Sequence, residues 1–164
     1  MGAAGMPNVM NRTDTALRQL RGKLAQAGLY GVVVPRFDPY QGEVVAPHDE
    51  RLAFLTGFSG SAGIAAVTAD HAVLFVDGRY QVQVRAEVDT RQFEIAHFFD
   101  FPIVTWLEQK LPRGQRIGIN SMLVPSALYA KLKAAMDQTG GELVLLETDL
   151  IDAIWPDQPP PPIA

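Results

Sequence analysis

Asp77-Gly78-Arg79-Tyr80 closes an apolar run, Ala72 to Val76, and sets a turn glycine, a planar five-donor cation and an aromatic ring side by side. At a strand end of an α/β sheet, where ligands and partners meet a domain, such an Arg suits bidentate contact with a carboxylate. A structural use fits equally well, with Arg79 paired to Asp77 or capping carbonyls. The run Gly57 to Gly63, GFSGSAG, comes within one residue of the GxSxG elbow of serine hydrolases, but Ser61 stands where the fifth position needs Gly. That elbow needs small residues around its Ser and a helix after it, whereas here a β-type apolar run follows. Glycines three apart also fail as a dinucleotide fingerprint, and no helix start follows to cradle a phosphate. They read as a tight chain crossing.

Metal and acid/base chemistry have few residues available. The chain has 3 His and no Cys, which excludes a disulfide framework, a thiolate zinc site, an iron–sulfur cluster and a cysteine nucleophile. His48, Asp49 and Glu50 are adjacent, and adjacent side chains diverge on any regular element, while metal ligands must converge. Asp49 is better used as the cap of a helix. His71 falls in a predicted hairpin turn and His97 at a strand end, with no second His at ligand spacing. No metal ligand is assigned. Asp70, Asp77 and Glu94 could form a nuclease-like carboxylate set, but a formal charge of -4 opposes a nucleic-acid substrate or partner. Arg12, Arg18, Arg21 and Lys23 read as the solvated side of a helix.

The elements that must position these residues follow from periodicity. Residues 1–12 lack an apolar period and are expected to form a flexible tail. From Thr13 to Ala27, Leu17, Leu20 and Leu24 fall on one helical face, with Thr13 or Asp14 as cap and Gly28 as left-handed end. Leu29 to Val34 is a strand apolar on both faces, stopped by Pro35. A long connection to Pro47 precedes a short helix with Leu52, Phe54 and Leu55. Ile64 to Thr68 and Ala72 to Val76 are too close for a parallel crossover, so they form an antiparallel hairpin. Tyr80 to Val88 is divided: apolar residues alternate as in a strand, while helix-forming residues and Asp77 as a cap favour a helix. Strands at 93–99, 116–119 and 143–146 then alternate with helices opened by Pro102 and Pro125. This predicts an α/β fold with a mixed sheet covered on both faces.

Composition agrees, with 48% hydrophobic and 20% charged residues in a chain of 164. No apolar stretch approaches the roughly 20 residues that span a bilayer, so no membrane partner is expected. After Trp155 and Pro156 the run Pro159 to Pro162 favours a stiff, extended spacer.

Three segments together resemble the N-terminal domain of the creatinase/prolidase family, in particular the long, three-domain Xaa-Pro aminopeptidases. They are Ala46-Pro47-His48-Asp49-Glu50-Arg51 leading to Leu55-Thr56-Gly57-Phe58-Ser59-Gly60-Ser61-Ala62-Gly63, then Asp77-Gly78-Arg79-Tyr80 with Gln83, then Leu150-Ile151-Asp152-Ala153-Ile154-Trp155-Pro156. Ser59, Ile64 and Val84 depart from the usual Asp, Thr and Ala. The resemblance implies a mixed, mainly parallel sheet of about five to six strands with a ribonuclease H-like motif, and it resolves 80–88 toward helix. It implies a domain over residues 13–155, with 156–164 as a proline-rich linker to a second domain. It further implies a cytoplasmic M24-family metallopeptidase that releases the residue before Pro, using a divalent metal pair (Mn or Zn) held by a separate catalytic domain. This domain would be non-catalytic, would shape the substrate cleft and would meet its own catalytic and middle domains, a homodimer also being allowed. Arg79 would help receive the Xaa-Pro peptide. The alternative is a stand-alone α/β binding module without peptidase activity.

Overall fold

The computed structural model describes residues 6–36, 45–60, 63–98 and 102–161, leaving aside the side chains of 6–11 and 81. In chain order they form α1 (Met6–Ala27), β1 (Gly31–Pro35), α2 (Arg51–Thr56), β2 (Gly63–Thr68), β3 (Ala72–Val76), α3 (Gln81–Glu87), β4 (Glu94–His97), α4 (Ile103–Lys110), β5 (Arg116–Asn120), α5 (Ser126–Thr139) and β6 (Glu142–Leu146). Single 3-10 turns lie at Pro47–Asp49, Gly78–Tyr80 and Asp152–Ile154.

The six strands make one sheet in the order β4-β3-β2-β1-β5-β6. Only β2 runs against its neighbours, pairing antiparallel with β1 and β3, while the other pairs are parallel. The short turn between β2 and β3 dictates that reversal, since a parallel return needs a long crossover. Every residue of β1, β2 and β3 is buried. Strand alternation sends Val32, Val34, Ala65, Val67, Leu74 and Val76 to the face covered by α1, α2 and α3. It sends Val33, Ala66, Val73 and Phe75 to the face covered by α4 and α5, where Trp106, Leu107, Leu132 and Met136 meet them. The mixed α/β sheet predicted from the sequence is therefore present.

Three local expectations need correction. Helix α1 begins at Met6, so residues 6–12 of the expected tail are helical; Pro7 sits in the first turn, where its missing N–H has no helical partner to lose. Thr13 is buried within that helix and Asp14 pairs with Arg18, so neither is its cap. Asp49 does not cap α2, whose N-cap position is Glu50 without a side-chain bond. Residues 1–5, 37–44, 61–62, 99–101 and 162–164 lie outside the described residues, and with them much of the long connection after β1 and the end of the proline run.

Within the divided segment 80–88, Gln81–Glu87 is helical and Val88 is its C-cap. Val84 and Val88 lie one turn apart and are buried, whereas Val82 is 84% exposed. A strand would have put all three on one face.

Candidate functional site at the carboxyl edge of the sheet

Because five of the six strands run the same way, the ends of β1, β3, β4, β5 and β6 share one edge of the sheet with the start of β2. Ligands of open α/β sheets meet such an edge, and the three segments singled out from the sequence gather on it.

Arg79 follows β3 on the Gly78–Tyr80 turn. The Asp77 carboxylate accepts the Arg79 backbone N–H at 2.9 Å, and the Asp77 carbonyl accepts the Tyr80 N–H at 3.0 Å. The guanidinium lies 3.3 Å from Asp77 Oδ2 and 5.6 Å above the Tyr80 ring, yet the side chain stays 73% exposed. Tyr80 in turn packs edge-on against Phe58 with ring centres 5.4 Å apart. The backbone N–H of Arg79, and then its guanidinium, hold the Asp77 carboxyl below the usual carboxylate range. The pairing with Asp77 matches the structural use of Arg79, and most of the side chain's surface faces solvent.

The Gly57–Gly60 turn braces this platform. Gly57 adopts φ 85°, and a Cβ there would sit 2.7 Å from the Glu87 carbonyl oxygen, so only glycine lets α2 end against α3. A Cβ on Gly60 would collide with the Phe58 ring. Ser59 donates from its backbone N–H and hydroxyl to the Glu87 carboxylate at 2.9 and 2.8 Å, and Gln83 Nε2 donates to Ser59 Oγ at 3.1 Å. The Ser59 hydroxyl is therefore spent on a bond that ties the turn to α3. Strand β2, not a helix, follows the turn, as the sequence predicts for a chain crossing rather than a nucleophile elbow.

The third feature was not foreseen. Arg51, at the start of α2, is 6% exposed and contacts Asp49 at 3.1 Å, Asp149 at 3.2 Å and Asp152 at 2.8 Å. Its fork engages both Asp152 oxygens, at 2.8 and 3.0 Å. Asp149 also accepts from Asn120 Nδ2 at 2.7 Å and from the Ile151 N–H at 2.8 Å. Burial works against the Arg51 charge, but the three carboxylates outweigh it and bind its proton more firmly. Burial pushes the Asp149 carboxyl up, against the hydrogen bond from Asn120 and the charge of Arg51. Asp152 feels burial too, but hydrogen bonds from Arg51 and Gln158 outweigh it and hold its carboxyl down. These acids converge on a guanidinium, not on a vacant point between them. Among the described residues no group of three His, Cys, Asp or Glu is placed to hold a metal ion. The sequence did carry a signal, since Arg51 precedes the buried Leu52, and Asp149 and Asp152 flank the buried Ile151.

Other sequence candidates stay apart. His48, Asp49 and Glu50 diverge as expected, toward the Pro159 carbonyl oxygen, Arg51 and Arg36 respectively. Asp70 bonds Tyr30 in the β2–β3 turn and Glu94 begins β4, both at the opposite edge of the sheet from Asp77, so no nuclease-like set forms. His71 meets the edge of Trp106.

Residues 17–154 match the family model for the Creatinase/Prolidase N-terminal domain. Xaa-Pro aminopeptidase 2 of Homo sapiens is 32% identical over 156 residues, which is 95% of this chain and 23% of that protein. The Drosophila melanogaster Xaa-Pro aminopeptidase is 32% identical over 152 residues, 90% of this chain and 25% of its own length. In structure, an X-prolyl aminopeptidase from Caenorhabditis elegans, described as a cytosolic enzyme with a di-nuclear active site, matches with a TM-score of 0.84 at 28% identity, over 90% of this chain and 26% of that one. The N-terminal domain of a cytoplasmic peptidase from Mycobacterium tuberculosis H37Rv has the same fold, with a TM-score of 0.63 at 23% identity over 85% of this chain and 97% of that one. The chain spans about a quarter of the length of the aminopeptidases it matches. With the matched region running from α1 to the Asp152–Ile154 turn, the chain belongs to the creatinase/prolidase N-terminal domain family and corresponds to the N-terminal domain of its Xaa-Pro aminopeptidase relatives.

Proposed function

We propose that this chain is the non-catalytic N-terminal domain of a cytoplasmic, metal-dependent Xaa-Pro aminopeptidase, where it borders the substrate cleft and supplies Arg79 as a contact for the peptide. Residues 156–164 would lead to a middle domain and the catalytic domain, and a divalent metal pair (Mn or Zn) in the latter would supply the activated water. The observation that carries this reading is the exposed but oriented Arg79 guanidinium, fixed at the carboxyl edge by Asp77 and stacked on Tyr80. A pre-oriented fork gives up little side-chain freedom on meeting a carboxylate or a peptide carbonyl. Its bonds would hold the peptide, while the bulk of the domain beside the cleft would limit entry to short substrates. The relatives' names support the substrate class, and the cytosolic description of the C. elegans enzyme supports the location.

The test is Arg79→Ala in the full-length enzyme. A lost charge-assisted hydrogen bond of about 1.5–3 kcal/mol should raise KM for Xaa-Pro peptides by about 10- to 100-fold with an unchanged melting temperature. Arg79→Lys, which keeps the charge and loses the fork, should fall between. Unchanged KM and kcat in Arg79→Ala would take this residue off the substrate path. Separately, the 164-residue chain with added Mn²⁺ or Zn²⁺ should hydrolyse no Xaa-Pro peptide.

A further inference from the structure

The proline-rich segment after Trp155 is seated on the domain. Gln158 Nε2 donates to the His48 carbonyl oxygen at 3.0 Å and to Asp152 Oδ1 at 2.9 Å. The His48 ring meets the Pro159 carbonyl oxygen through Nδ1 at 2.8 Å. A carbonyl only accepts, so Nδ1 is the donor in this contact. Asp152 is itself gripped by the buried Arg51 fork, and just upstream Trp155 stacks on Phe54 with ring centres 4.9 Å apart and planes 19° from parallel. Apart from Asp152, the partners come from the segment 48–54, at the edge of the sheet that also carries Arg79.

We propose that His48, Gln158 and the Arg51–Asp152 pair act as an orienting latch that gives the proline run a single heading as it leaves the carboxyl edge. Stiffness makes the root of the run decisive. Consecutive prolines form a semi-rigid rod of about 3.1 Å per residue, so a rod whose first residues are bonded projects in one direction, and one whose root is free swings as a unit. Proline suits this role because it lacks an N–H yet keeps the carbonyl that His48 grips. The latch joins the Ala46–Arg51 segment to the Asp149–Pro159 segment through His48 and Arg51 on one side and Asp149, Asp152, Gln158 and Pro159 on the other. The heading itself does not depend on the peptidase reading. Only its consequence does, namely that the latch would set where Arg79 lies relative to the catalytic domain.

The native chain contains no Cys, so Lys131→Cys on α5 and Pro161→Cys on the run give two unique spin-label sites. Double electron–electron resonance on that pair should return one narrow distance distribution. Gln158→Ala and His48→Ala should each lose the narrow component, and His48→Asn, whose amide can donate from nearly the same place, should recover it. Gln158 lies outside the core, so its variant remains decisive if His48→Ala fails to fold. A broad distribution in the labelled parent, or a narrow one that survives Gln158→Ala, overturns the latch. No step requires peptidase activity, so the two proposals fail separately.

Discussion

Arg51 and Arg79 carry the same guanidinium into opposite surroundings, and their expected mutational behaviour differs accordingly. Arg51 is 6% exposed and faces three carboxylates, two of which, on Asp49 and Asp149, are also buried. Burying one such pair is no guarantee of net stabilisation, but removing one partner strands the others without water or counter-charge. Arg51→Ala should therefore destabilise the fold by about 3–5 kcal/mol, read as a lower urea midpoint with an unchanged slope. A loss under about 1 kcal/mol would mean that water reaches Asp49 and Asp149 and that the cluster is not a structural tie. Arg79, mostly solvated, should leave the same urea curve where it was when replaced by Ala. The contrast separates an arginine that holds the fold from one available to a ligand.

Among the elements, the strands and most helices were legible because their apolar residues either run on continuously over a strand's length or repeat at the helical period. β1, β2 and β3 read as continuous apolar runs, and the short gap between the last two dictated the reversal that makes the sheet mixed. α3 was not legible from its pattern, because Val82, Val84 and Val88 satisfy period two; helix propensity and the family resemblance pointed correctly where alternation did not. Caps misled because residue type alone was read: Asp14 lies inside a helix that already starts at Met6 and pairs with Arg18 one turn on, and Asp49 turns to Arg51 instead of to a backbone N–H. The Arg51 cluster left only a partial trace, charged residues set beside apolar ones at both ends, because the contact that joins them spans about a hundred positions and no local pattern encodes that pairing. Helix α3 makes a clean test of the point. On a strand, Val82 and Val84 would share a face and respond alike. On the helix, Val82→Lys should stay within about 0.5 kcal/mol of the parent, while Val84→Lys buries an unpaired charge and should cost several kcal/mol or unfold the chain. Similar melting temperatures for the two variants would contradict the helix.

At the scale of the whole molecule, the same cluster makes folding stability depend on acid in two opposed ways. Asp152 and Asp77 have carboxyls held below the ordinary 3.8, while Asp149 is pushed above it by burial. A depressed carboxyl contributes stability above its unfolded value and loses it as pH falls through the folded one. A raised carboxyl has the reverse sign, because the folded state takes up its proton first and gains on the unfolded state as pH falls from neutral. Asp149 should therefore lift stability first as the solution is acidified, and Asp152 and Asp77 should lower it progressively as the pH approaches and passes through 3.8. Urea midpoints followed from about pH 7 to about pH 3 would resolve the two arms. Asp149→Asn should flatten the rise, and Asp152→Asn should soften the later fall while loosening the segment that Gln158 ties to it. Because Arg51 links residues 49–51 to 149–152 at one edge of the sheet, the later fall should appear together in far-UV circular dichroism and in the tryptophan fluorescence, to which Trp155, stacked on Phe54 beside that link, contributes. Separate transitions would show the C-terminal segment releasing before the sheet, and the cluster would then be a local clasp rather than part of the cooperative core.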